Sequence, residues 1–141
     1  MSSYIPFLKI KQNEIQALGE LDAHTRSKIR PFFDIPRTSK NQNAAEIEGR
    51  ISLGVKHLKK LIKDKGIFDF YIDNFDLDDD IELDGASQYS RILESFIEFN
   101  AIPVLALDRS LDHNTAVFDY LGVIGGRVAI RLQLEDVESY A

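Results

Sequence analysis

The residues best placed to do chemistry in this sequence are charged side chains at the ends of short apolar runs. Lys9 and Lys11 close the first run, Asp34 and Arg37 the second, Asp73 the third, Asp108 and Arg109 the fourth, and Arg131 falls in the last. A charge at the end of an apolar strand is costly unless it is solvated, paired or coordinating something. Carboxylates and cations gathered at one end of a sheet could hold a polar or phosphorylated ligand, which makes these eight residues ligand-binding candidates. Strands that simply end where the chain meets water would show the same pattern. Asp73 and Asp108, together with Asp34, could also take a hard divalent cation such as magnesium, which prefers carboxylate oxygens. Ion pairing with Lys9 or Arg131 accounts for the same carboxylates without a metal and is the favoured reading. No catalytic residue, metal ligand or cofactor is assigned.

Other patterns fail when tested. Asp76, Asp78, Asp79, Asp80, Glu82 and Asp84 look like a calcium loop. An EF-hand started at Asp76 puts Ile81 where the turn glycine belongs and Ser87 where the bidentate Glu belongs. A solvated acidic loop is the expectation. His24, His57 and His113 have no ligand spacing; His24 and His57 are expected at the surface, and only His113, following the fourth run, could reach a site. No Gly-x-Ser-x-Gly, Walker or Gly-x-Gly-x-x-Gly pattern occurs. Gly122, Gly125 and Gly126 precede an apolar run rather than follow one, so they read as a helix exit and turn. Phe68, Phe70 and Tyr71 read as core and sheet face.

The elements that would position these residues alternate. Residues 5–9, 29–35, 68–73, 102–107 and 127–132 read as strands, with Pro6 marking an edge or a strand start. Ile15, Leu18 and Leu21 share one helical face. The segment 36–42 reads as a loop. The strongest helix starts at Asn43, which can cap it with Glu46 three residues on. Its stripe is Ala44, Ile47, Ile51, Val55, Leu58 and Ile62, and Gly66 closes it after Lys63 and Lys65. Tyr89, Ile92, Leu93, Phe96 and Ile97 mark another helix. Ala116, Val117, Tyr120 and Leu121 mark a shorter one ended by Gly122. Alternating βα units call for a single α/β domain over residues 1–141, with a mainly parallel sheet. Five units suit the first half of a TIM-like barrel, with a flavodoxin-like open sheet as the alternative.

Composition sets the outer bounds. The chain has 141 residues, 44% of them hydrophobic and 28% charged, which is ordinary for a globular domain. It has no cysteine, so thiolate metal sites and disulfides are excluded. No secretion signal or membrane span is expected, and a cytoplasmic setting follows. The net charge of −6 disfavours broad nucleic-acid binding. Five units would leave two sheet edges, and Val128, Ala129, Ile130 and Leu132 on the last strand would lack a covering layer. A homodimer, or a protein partner that completes the sheet, is therefore expected.

Tyr4-Ile5-Pro6-Phe7-Leu8-Lys9-Ile10-Lys11, then Glu14 and Ala17-Leu18, resemble the opening of the phage beta protein family. Pro31, Phe32, Asp34, Ile35 and Pro36 resemble its second block, and Ala101-Ile102-Pro103-Val104 and the run from Val128 to Leu132 resemble later ones. The family is associated with satellite bacteriophages and bacterial genomes. The resemblance implies a barrel-like fold, usually in a longer chain, and a gene beside a host-toxic product and a small regulator. It thus implies a part in phage defence or toxicity control, and it carries no catalytic residues. Three functions are compatible with the residues: a ligand-sensing or partner-binding component of such a locus, an enzyme acting on a phosphorylated or nucleotide-like substrate, or a truncated remnant acting through protein association.

Overall fold

A computed structural model describes residues 4–37 and 42–138. Much of the expected 36–42 loop, residues 38–41, lies outside the described residues. Five short strands form: β1 (Phe7–Lys9), β2 (Phe32–Asp34), β3 (Tyr71–Asp73), β4 (Val104–Ala106) and β5 (Ala129–Arg131). Each falls inside one of the five apolar runs. The helices are α1 (Gln12–Glu20), α2 (Ala23–Ser27), α3 (Ala44–Lys65), α4 (Gln88–Ser95), α5 (Leu111–Ile124) and α6 (Leu134–Glu138), with a 3-10 turn at Ile97–Phe99.

All strand pairs are parallel. β1, β2 and β3 form one ladder in that order, with Lys9, Asp34 and Asp73 level across it. β4 and β5 form a second, with Ala106 opposite Arg131. A parallel bridge between Tyr71 and Ile102 joins the two. The sequential order is that of an arc of a barrel, and it rules out the flavodoxin-like alternative, in which the chain doubles back across the sheet. The barrel is not closed.

The helices explain which face is dry. α1 packs on α3, α3 on α4 and α4 on α5, so successive helices lie side by side on one layer. Leu8, Phe33 and Ile72 alternate with the level charged residues, and Phe33 and Ile72 are fully buried in the core. On the other face the rings of Phe7, Phe32 and Tyr71 line up across the strands, at 4.6 and 5.5 Å between centroids. Phe7 remains 64% exposed there. Ile130 on β5 is exposed, as are Val128 and Leu132 on either side of it.

α3 forms where the sequence places it. Asn43 accepts a hydrogen bond from the Glu46 backbone N–H at 3.0 Å, and Gly66 ends the helix at φ 91°. Ile47, Ile51 and Leu58 are buried, and Leu61 joins them. Two local expectations need correction. α5 starts at Leu111 and does not stop at Gly122; it runs to Ile124 and ends at Gly125 with φ 67°. Gly122 sits within the helix with open space around its Cα, so no packing forces an exit there. α2 was not expected, yet Asp22 caps it by accepting from Thr25 N–H at 2.8 Å.

Tyr89 holds the two ladders together beyond their bridge. Its hydroxyl donates to Ile72 O at 2.5 Å and accepts from Val104 N–H at 2.8 Å, standing between β3 and β4 where a direct ladder bond would run. Burial pushes this hydroxyl's pKa well up, so it stays protonated and able to donate.

The buried stripe of α3 should dominate its energetics. Ile51→Ala and Leu58→Ala are each expected to destabilise the fold by about 2–5 kcal/mol, whereas exposed Lys60→Ala should change little. Urea midpoints for the three variants check this, and equal midpoints would mean that the helix buries another face.

Candidate ligand-binding site at the strand carboxyl ends

The level row of Lys9, Asp34 and Asp73 would be three ordinary strand ends were it not for Arg131. In a flat sheet, neighbouring strands are about 4.8 Å apart, so β5 would lie far from β2. Arg131 nevertheless donates from one guanidinium nitrogen to Asp34 Oδ1 at 3.1 Å and to Asp73 Oδ2 at 2.9 Å. Its guanidinium also lies over the rings of Phe75 at 3.8 Å, Phe32 at 5.6 Å and Phe7 at 5.7 Å. The sheet must curl for one side chain of β5 to meet residues of β1, β2 and β3. The side chain crosses the concave face like a spoke.

Asp73 is the centre of the charge pattern. It is 0% exposed, and a second arginine grips it end-on through both terminal nitrogens: Arg109 donates to Asp73 Oδ1 at 2.8 Å and to Oδ2 at 2.9 Å. Asn74 N–H adds a bond to Oδ1 at 2.8 Å. Burial works to raise the Asp73 pKa, but the hydrogen bonds and charge of Arg109, and then Arg131, outweigh it and hold the carboxyl below its ordinary 3.8. Asp34 goes the other way. Burial raises it above 3.8, Arg131 opposes the rise, and the neighbouring Asp73 charge reinforces it.

A polar web extends from this pair into the loops. Arg109 also donates to Asn74 Oδ1 at 3.0 Å, and Asn74 donates to Gln88 Oε1 at 2.6 Å and Asp79 Oδ1 at 3.3 Å. Gln88 returns to the acidic loop by donating to Asp78 O at 2.7 Å. Ser110 caps α5 by accepting from His113 N–H at 3.1 Å and donates its own proton to Asp79 Oδ2 at 2.5 Å. The acidic loop is thus solvated at Asp78, Asp80, Glu82 and Asp84, while Asp79 turns inward and Asp76 takes an ion pair from Lys9.

His113 lies behind this web, 1% exposed and stacked on Tyr89 at 3.9 Å. Its Nε2 meets Val104 O at 2.8 Å, which fixes the proton there, and leaves Nδ1 buried without a hydrogen-bond partner, 3.9 Å from Asp79 Oδ1. Burial holds its pKa below 6.5.

Of the eight sequence candidates, Lys9, Asp34, Asp73, Arg109 and Arg131 form one contiguous network. Asp108 stands at its margin, exposed and 3.9 Å from Arg109 Nε. Lys11 and Arg37 are exposed. Among the described residues no three of His, Asp and Glu gather as metal ligands would. Asp34, Asp73 and Asp108 therefore do not form the cation set that their positions allowed; Arg131 already lies between the first two. Sequence reasoning missed Asn74, Phe75, Asp79, Gln88 and Ser110. Asp79 was hidden in a run of acids, and Ser110 carried the signal of a helix cap.

The titrations of His113 and Asp73 set an expected pH dependence. A histidine held below its ordinary value in the folded chain takes its proton first in the unfolded chain, so its contribution is full above about 6.5 and is lost as pH falls. Asp73 follows the same sense lower down, with its contribution lost as pH falls below 3.8. Asp34, raised, opposes Asp73 in that lower window. The urea midpoint should fall between pH 7 and pH 5, and His113→Gln should flatten that slope. A midpoint that rises over this window would contradict the buried neutral imidazole.

No helix among the described residues is long and apolar enough to cross a membrane. No curated protein and no solved structure matches the chain at a significant level. A family model described as Beta protein matches residues 4–141, from the first described residue through all five strands. The network of strand-end charges is thus carried on the segment that the family model covers, and the chain belongs to the Beta protein family.

Proposed function

We propose that this chain is a ligand-binding component of a phage-defence or toxin-control locus, and that its concave strand-end face holds the ligand. The observation that carries the reading is the position of Arg131, which gathers residues of β1, β2 and β3 around one guanidinium. Asp73 is neutralised by its two arginines, so it contributes order rather than free charge. The accessible groups beside it are Lys9, partly engaged by Asp34 and Asp76, and the rings of Phe7 and Phe75, 64% and 39% exposed. A cation next to exposed rings suits a polar ligand with an anionic group and a planar portion, held by charge-assisted hydrogen bonds and stacking. The association of the family with satellite phages supplies the biological setting.

A second reading makes the same face an active site for a phosphorylated or nucleotide-like substrate. It is favoured by Asp34, whose raised pKa would suit a group that exchanges a proton.

Titration with adenosine 5′-monophosphate, followed by amide NMR on the full chain, tests the binding reading. Saturable shifts are expected at Lys9 and Phe75, and Lys9→Ala should weaken binding about tenfold. Lys9 is chosen because its removal leaves both arginines on Asp73. Conversion of the nucleotide during the titration, lost in Asp34→Asn, would favour the enzyme. Unshifted Lys9 and Phe75 amides would count against both readings.

A further inference from the structure

On the outer layer, α1 and α3 lie side by side and leave a groove of about 530 Å³ between them. Small-molecule sites commonly run from about 300 to 1,000 Å³, so the groove has the right size for one. Ile15, Gly19 and Leu61 contribute apolar lining. The absence of a side chain at Gly19 keeps the space open, since a Cβ there would come within 3.1 Å of Leu61 Cδ1.

The charged lining is mainly cationic, beside the neutral Gln12 and Gln16. Lys56, Lys60 and Lys65 reach the groove, against one acid, Asp64. The second half of α3 also carries Lys59 and Lys63, an unusual concentration in a chain of net charge −6. Lysines in a last turn suit the negative end of a helix, which accounts for Lys63 and Lys65. That effect falls off within the turn and does not account for Lys56 or Lys60. Lys59 is taken by Glu98 at 3.4 Å, whereas Lys56, Lys60 and Lys65 have no acidic partner among the described residues. His57 lines the same groove, and its Nδ1 is buried without a hydrogen-bond partner.

We propose that this groove is a second binding site, for a small anion that carries an apolar body. Its phosphate or carboxylate sits between Lys56 and Lys60, and its apolar part lies on Ile15, Gly19 and Leu61, with His57 on the groove wall. The site is separate from the strand-end face. In a parallel βα unit the helix returns toward the amino end of the sheet, and these lysines lie in the returning half of α3.

Phenyl phosphate, with both an anionic head and an apolar ring, is the probe, and inorganic phosphate and phenol are the comparison arms. Amide NMR on the full chain should show saturable shifts at Gly19 and His57 with phenyl phosphate, and about tenfold weaker binding of either fragment. Lys56→Glu/Lys60→Glu, on exposed side chains, should weaken phenyl phosphate, read at Gly19 and His57, by more than about tenfold. Should the double variant fail to fold, Lys60→Gln alone is expected to weaken binding in the same sense. Shifts absent from Gly19 and His57, or binding that survives both lysine variants, would overturn the proposal.

Discussion

The buried carboxylate of Asp73 needs two arginines, and the shape of the sheet follows from how they reach it. An unpaired carboxylate at 0% exposure would be prohibitive. Arg109 comes from the loop after β4, next along the arc, and meets both oxygens with two parallel bonds that the planar guanidinium fork allows. Arg131 comes from β5 and must cross the concave face to arrive. Its second bond, to Asp34 on β2, then ties the far side of the sheet to the same guanidinium. A buried charge cluster of this kind is weak support for stability in itself, because desolvation offsets much of the attraction. What it specifies is register and curvature: a one-residue slip of β5 would turn Arg131 to the helix side and leave Asp73 short of a partner.

Around that centre, neutral hydrogen bonds do the joining. The Tyr89 hydroxyl completes the seam between β3 and β4, so a helix side chain substitutes for sheet pairing. The Tyr120 hydroxyl likewise donates to Ala101 O at 2.7 Å, and burial pushes its pKa up to about 12. Asn74, Gln88, Asp79 and Ser110 then carry the strand-end network into the loops and the start of α5. The strand-end side of the sheet is thus built from polar contacts over long sequence separations, and the helix side from apolar packing.

That division explains what the sequence could reveal. The helix side was legible because Ile47, Ile51 and Leu58 repeat at the helical period, and Asn43 and Gly66 mark their ends. The five strands were legible as apolar runs, although each forms a shorter ladder than its run. Pairing at Tyr4 and Ile29, for instance, is an isolated bridge rather than a strand. That five of the eight charged candidates would converge was legible from position alone, because parallel units bring all carboxyl ends to one side. The partner choices could not. Nothing in the spacing says that Arg131 passes over Phe75 to reach β2, or that Asp79 leaves an otherwise solvated acidic loop for Ser110. Those contacts depend on curvature, which is a property of the assembled sheet. Gly122 shows the same limit: a glycine near a helix end reads as a stop, yet the stop falls at Gly125, where a positive φ is adopted.

The central claim is that one guanidinium joins Asp34 and Asp73 across the concave face. The most direct measurement is a carbon-detected NMR titration of the two carboxyl groups, in the native chain and in Arg131→Gln. The two carboxylates should titrate on opposite sides of 3.8, Asp73 below and Asp34 above, and loss of Arg131 should move both upward. Two carboxyls titrating together near 3.8, unmoved by Arg131→Gln, would contradict it.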